Sequence, residues 1–162
     1  MIGTKNVKVV KILEELEEID PDEQVIVWAH FRVELEYLQK ELSRNGYNCR
    51  LYYGGTSRDK RTEIINEFQH ERFKIFIGNP AVAGFGLNLQ TATTQLWFSN
   101  SFRTEDRLQA EDRSHRIGVQ KTCLYKDVIC KDSVDEKIYA NTKAGRNLND
   151  YFKSNSLKEI LT

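Results

Sequence analysis

Residues 25–29 read VIVWA, five apolar residues in a row. A run that short and that continuous marks a strand covered on both faces, as strands of a parallel sheet are. The flanking segments agree with a buried strand. Before it, Val7, Val10, Leu13, Leu16 and Ile19 recur at helical spacing, and the pattern stops near Asp20-Pro21-Asp22. After it, Phe31, Leu35, Leu38 and Leu42 mark one side of a second helix that stops at Asn45-Gly46. Cys49 to Tyr53 is a strand, Gly54-Gly55-Thr56 a turn, and Ser57 the cap of a third helix bearing Ile64, Ile65 and Phe68. Further strands are predicted at Phe73 to Ile77, Gln95 to Phe98 and Cys123 to Ile129. A helical segment follows through Val134, Ile138 and Tyr139. Strands alternating with helices require right-handed crossovers, which predicts a three-layer α/β/α domain with a mostly parallel sheet. The domain is assigned to residues 1–143, with a helical or frayed tail over 144–162.

Bulk properties narrow the function class. A chain of 162 residues forms one domain with a proper core. Its 24 basic and 24 acidic residues cancel, so any anion site is a local patch. No apolar run is long enough to cross a bilayer, and the charged N-terminus lacks the apolar core of a signal peptide. Cys49, Cys123 and Cys130 form no CxxC pair, and His30, His70 and His115 are widely spread. No zinc pattern results, and no metal site is expected. The expected setting is a reducing cytoplasm, not the secreted space, with the cysteines as small apolar fillers.

Three segments carry chemistry. Residues 109–118 read QAEDRSHRIG. On a helix, Gln109, Arg113 and Arg116 fall at i, i+4 and i+7, so one face presents a carboxamide and two permanently charged guanidiniums suited to phosphate. Thr104 is the expected cap of that helix, and Gly118 stands where a left-handed C-cap belongs. A local ion pair from Asp112 to Arg116 is the competing use of those charges. In residues 79–90, NPAVAGFGLNLQ, Gly84 and Gly86 let the backbone turn sharply and approach a ligand. Asn88 is then a polar contact, although an ordinary strand-to-helix connection explains the glycines equally well. The free amides of Gly54 and Gly55 and the Thr56 hydroxyl can hold a phosphate at a helix start. Arg58, Lys60 and Arg61 beyond them read as a solvated face or as a DNA contact.

Taken in order, VIVWAHF, YYGGTSRDKR, IFIGNPAVAGFGLNL, LWFSNSF and EDRLQAEDRSHRIG resemble the second RecA-like lobe of superfamily-two helicases. Within that superfamily the chain is similar to the Swi/Snf group of DNA-translocating ATPases, from about Lys8 to Lys143. The resemblance implies a RecA-like fold and a set of roles. Gln109, Arg113 and Arg116 match the sixth motif, whose arginines reach across a cleft to the γ-phosphate of ATP held by a first lobe. Gly84, Gly86, Leu87 and Asn88 match the fifth motif, which touches nucleotide and nucleic-acid backbone. Gly54, Gly55 and Thr56, with Arg61 beyond, match a loop that tracks a DNA strand's phosphates. Trp28 to Arg32 match the fourth motif near the duplex, which makes Arg32 a candidate contact.

The chain departs from the family pattern at three places. Val82 and Ala83 stand where Ala-Gly is commoner, Val119 where Gln is usual, and Ser99-Asn100-Ser101-Phe102 where an acidic and Trp-Asn-Pro string is usual. No GxxxxGK[ST] loop and no buried acidic pair occur, so the chain by itself lacks the parts that hold Mg²⁺ and the β/γ-phosphates. ATP and Mg²⁺ are expected only together with a first lobe, in cis or in trans, and double-stranded DNA is the expected partner. Alone, the domain is expected to be nearly inert. The alternative is a free-standing, non-catalytic DNA- or protein-binding module.

Overall fold

A computed structural model of the chain describes residues 6–83, 87–113 and 122–144. Its strands are β1 Val25–Trp28, β2 Cys49–Tyr52, β3 Ile75–Gly78, β4 Thr94–Trp97 and β5 Leu124–Asp127. They form one sheet in the order β2-β3-β1-β4-β5, and every neighbouring pair runs parallel. The helices are α1 Val7–Glu17, α2 Arg32–Arg44, α3 Arg58–Gln69, the short α4 Pro80–Ala83, α5 Thr104–Asp112 and α6 Val134–Lys143.

Alternate residues of the central strand feed two separate cores, because successive side chains of a strand point to opposite faces. Val25, Val27 and Ala29 join α1 and α2 through Ile12, Leu16, Leu35, Leu38 and Leu42. Ile26 and Trp28 join α3, α4 and α5 through Ile64, Phe68, Ala83 and Ala110. The three-layer α/β/α architecture follows directly from this arrangement. Among the described residues, no helix is long and apolar enough to cross a membrane.

Several local expectations move. The buried stripe of α1 is Val9, Ile12 and Leu16, while Val7 is exposed. Both candidate stripes are apolar, and contact with the sheet selects between them. Phe31 lies outside the core stripe of α2, 60% exposed at the helix start. Strand β3 begins at Ile75, not Phe73, because Lys74 and Ile75 both donate to Asn48 O and the ladder to β1 starts there. Gly46 closes α2 at φ +84°, a left-handed backbone that suits glycine. Thr104 does not cap α5. Arg103 holds the cap position without a side-chain bond, Ser101 Oγ accepts from Arg103 N at 3.0 Å, and Thr104 is turned into the core. Of the cysteines only Cys49 is a core filler, and burial pushes its thiol up; Cys130 is exposed.

Edge strand β5 is tied to α1 by Lys126, whose ammonium pairs with Glu15 beside Lys11. The Lys126 hydrogen bond, then that of Lys11, holds the Glu15 carboxyl below its ordinary range despite burial. A carboxylate lowered by folding stabilises above its unfolded value and loses that contribution as pH falls through the folded one. Acid unfolding of Glu15→Gln, followed by circular dichroism, should therefore show a shallower loss of stability below about pH 4.3. A curve parallel to that of the parent would exclude the tie as a source of acid sensitivity.

Gly78 ends β3 against two buried rings: a Cβ there would lie 2.7 Å from Phe76 and 2.8 Å from Trp28. Gly78→Ala is expected to cost about 1–3 kcal/mol in urea unfolding, the usual range for overpacking. Gly54→Ala, with nothing within 4 Å of its Cβ, should fall within about 0.5 kcal/mol of the parent. Equal losses would rule out crowding at Gly78.

Candidate functional site

In open parallel sheets, ligands gather beyond the carboxyl ends of the strands. Here those ends are stitched together by side chains. Ser99, just past β4, accepts from His30 N at 2.8 Å and donates to Glu34 at 2.6 Å. Glu34 in turn accepts from Phe31 N, fixing the first turn of α2. Asn79, just past β3, donates to His30 O at 2.7 Å, and its side-chain Oδ1 accepts from Ala81 N to start α4. Ser99 thus has a structural use in the stretch where this chain departs from the family pattern.

The loop after β2 is braced from within. The Thr56 hydroxyl donates to Leu51 O and accepts from Tyr53 N, and Arg61 Nη2 donates to Tyr53 O at 2.9 Å and to Gly54 O at 3.2 Å. The Tyr53 ring crosses Gly55 so closely that a Cβ would lie 2.8 Å away. Arg32 stacks over the other part of this unit, 5.5 Å from the Tyr53 ring centre, and pairs with Glu36 at 2.7 Å. The Thr56 hydroxyl and the Arg61 guanidinium therefore brace the loop. The exposed amides of Gly54 and Gly55 are left as donors, with no partner among the described residues.

Helix α5 starts beyond β4 and runs away from this edge. Gln109 is exposed on it, and Arg113 caps it in a helical backbone with its side chain half-buried. Leu89 N donates to Arg113 O at 3.3 Å, and α4 packs against α5. The segment carrying Asn88 and the helix carrying Arg113 are thus one unit. Asn88 itself uses Oδ1 to accept from Gln90 N and its main-chain oxygen to accept from Gln69. Arg116, Gly84, Gly86 and Gly118 lie outside the described residues.

Sequence reasoning missed the residue that seats α5. Arg107 is buried, with its guanidinium 4.3 Å from the Trp97 ring centre. It donates to both oxygens of Asp127 on β5, to Asn100 at 2.9 Å and to Glu111 at 2.7 Å. Burial works against its charge, but the hydrogen bonds and charges of Asp127 and Glu111 outweigh it and hold the side chain protonated. Nothing local signals this role, since Asp127 stands 20 positions away along the chain. Asn79 was open to detection, because Asn before Pro at a strand end is a helix-start signature.

Comparison with known proteins supplies an independent line. The model of the family described as "Helicase conserved C-terminal domain" matches residues 5–118. The chain is 34% identical over 134 residues to ATP-dependent helicase FUN30 of Saccharomyces cerevisiae, covering 82% of this chain and 12% of that protein. It is 32% identical over 139 residues to ATP-dependent helicase fft1 of Schizosaccharomyces pombe, covering 84% of this chain and 15% of that one. A crystal structure of the C-terminal part of the Fun30 ATPase domain superposes with a TM-score of 0.78 at 32% identity, over 84% of this chain and 45% of the other. The chain therefore spans a small part of the length of the curated relatives it matches.

Removing one member of a buried ion pair strands the other charge. Arg107→Met is expected to lower unfolding free energy by about 3–5 kcal/mol, and Arg107→Met with Asp127→Leu by clearly less. Additive losses in that double-mutant cycle would show that the two side chains do not act as a pair.

Proposed function

Because the chain belongs to the helicase conserved C-terminal domain family, as the second RecA-like lobe of a Swi/Snf-type superfamily-two ATPase, we propose that it completes the ATP site of a first lobe and grips DNA backbone. The observation that carries this reading is the union of α4, the Asn88 segment and α5, with α5 seated on β5 by Arg107.

In this reading Gln109, Arg113 and Arg116 face ATP bound by a first lobe, in cis or in trans, which also holds Mg²⁺. The arginines supply positive charge where the transferring phosphoryl group develops negative charge. Gly84, Gly86 and Asn88 approach the nucleotide from the adjoining loop. A rigid seat matters here, because charge stabilisation of a transition state depends on donors that are already in position.

DNA would meet the strand-end edge. The Gly54 and Gly55 amides hold a backbone phosphate, Thr56 and Arg61 keep the loop in shape for it, and Arg32 adds charge nearby. Contacts of this kind grip without reading sequence and weaken with salt. Closure of the two lobes on ATP and reopening after hydrolysis would then advance the grip along the duplex.

Combining the chain with a matching first lobe should give DNA-stimulated ATP hydrolysis. Arg113→Ala or Arg116→Ala should lower turnover by about 10³-fold or more while ATP binding persists. Unchanged turnover in both variants would end the arginine-finger assignment. Thr56→Val should weaken duplex binding by the same factor for unrelated sequences, and a loss confined to one sequence would contradict a backbone contact.

A further inference from the structure

A groove of about 420 Å³ runs along one side of α3, away from the strand-end edge. Arg58, Arg61, Ile65, Asn66 and Gln69 line it from α3 at helical spacing, and Leu87 faces them. From Arg58 to Gln69 the stripe is about 16 Å long at 1.5 Å per residue. Its upper end starts where the loop of Gly54 and Gly55 enters α3, and its lower end lies near the start of β3.

The lining is unusual for this chain in its charge. Acidic and basic residues balance overall, yet no carboxylate lines this groove. The grooves beside α6 and at the end of α3 carry Asp135, Glu111 and Asp127, or Glu67. Of the other exposed cations on α2 and α3, Arg32 pairs with Glu36, Arg44 with Glu41 and Lys60 with Glu63, while Lys40 lies on α2, outside this groove. Arg58 is exposed, and among the described residues neither its guanidinium nor the Asn66 carboxamide has a partner. The walls are already fixed. Arg61 bonds the loop carbonyls at the top, and Gln69 Nε2 donates to Asn88 O at 3.3 Å at the bottom.

We propose that this groove binds an extended acidic peptide segment of a partner protein. Carboxylates meet Arg58 and the remaining donors of Arg61, the peptide main chain pairs with the Asn66 and Gln69 carboxamides, and an apolar side chain rests on Ile65 and Leu87. An extended chain advances about 3.3 Å per residue, so five residues fill the stripe. A duplex fits the shape poorly, because a rod with a persistence length of about 150 bp does not turn down the flank of a helix. Unstacked bases fit poorly too, because they need an open aromatic face. Tyr52, the aromatic residue in the wall, is buried with Arg61 over its ring at 5.5 Å. Since Arg61 also holds the Tyr53 and Gly54 carbonyls, an acidic pair at the upper end competes with DNA phosphate for the rim.

The test uses the full chain without nucleotide, so its result is separate from the motor reading. Fluorescein-labelled octapeptides of fixed Val/Thr composition carry an adjacent Glu pair, a Gln pair or a Lys pair at one end. Anisotropy titration should show the Glu peptide binding roughly tenfold or more tighter than the Gln peptide, the factor one charge-assisted hydrogen bond supplies. Arg58→Glu should abolish that preference and Asn66→Asp should weaken the Glu peptide, while Lys60→Gln leaves it intact. Circular dichroism checks that each variant folds. Binding indifferent to Glu against Gln, or a preference that survives Arg58→Glu, overturns the proposal. So does displacement of the peptide by a six-nucleotide oligothymidylate whose own binding depends on Arg58 and Asn66, because the groove then belongs to a nucleic-acid strand.

Discussion

Strand β1 is paired on both edges and covered on both faces, and none of its four residues reaches solvent. A buried main chain must satisfy every amide and carbonyl within the protein, so its register against β3 and β4 cannot slip without cost. That register sets the last aligned residues as Trp28, Gly78 and Trp97. His30, Asn79 and Ser99 then leave the sheet at nearly the same level, which is why short side chains can bond across three strand ends. Trp28 also needs a partner for its buried indole N–H, and Gln95 on β4 accepts it at 2.7 Å. The level edge offered to a ligand is therefore a consequence of parallel pairing at the centre of the sheet.

Helix α5 buries one arginine along its length and carries another, half-buried, at its carboxyl end. Arg107 gives its donors to Asp127, Asn100 and Glu111 and lies on Trp97, so it seats the helix. Arg113, six positions on, belongs to the set assigned to ATP. A planar fork suits both jobs: it saturates a buried carboxylate as readily as it would meet phosphate oxygens. The loop after β2 shows the same economy, with Arg61 shaping the backbone whose exposed amides face the proposed phosphate.

Much of this was open to reading from residue order. The continuous apolar run at Val25–Trp28, the helical spacing of Leu35, Leu38 and Leu42, the Ser57 cap and the Gly46 stop each report a local preference, and each holds in the folded chain. The ordered motif strings between Val25 and Gly118 identified the family that the comparisons found. Positions governed by distant partners were not open in the same way. Val7 and Val9 are equally apolar, Phe73 is as strand-like as Phe76, and Thr104 is a better cap than Arg103 on local chemistry alone.

By itself, the order of residues determined the alternation of helices and strands, the three-layer class and the segments that carry chemistry, because period and turn chemistry act over a few neighbours. Tertiary structure decided which apolar stripe was buried, which hydroxyl and guanidinium became braces, and which arginine was sealed beside Asp127. Those outcomes turn on contacts between residues far apart in the chain, where burial makes an unmet charge or hydrogen bond expensive and so selects the partner.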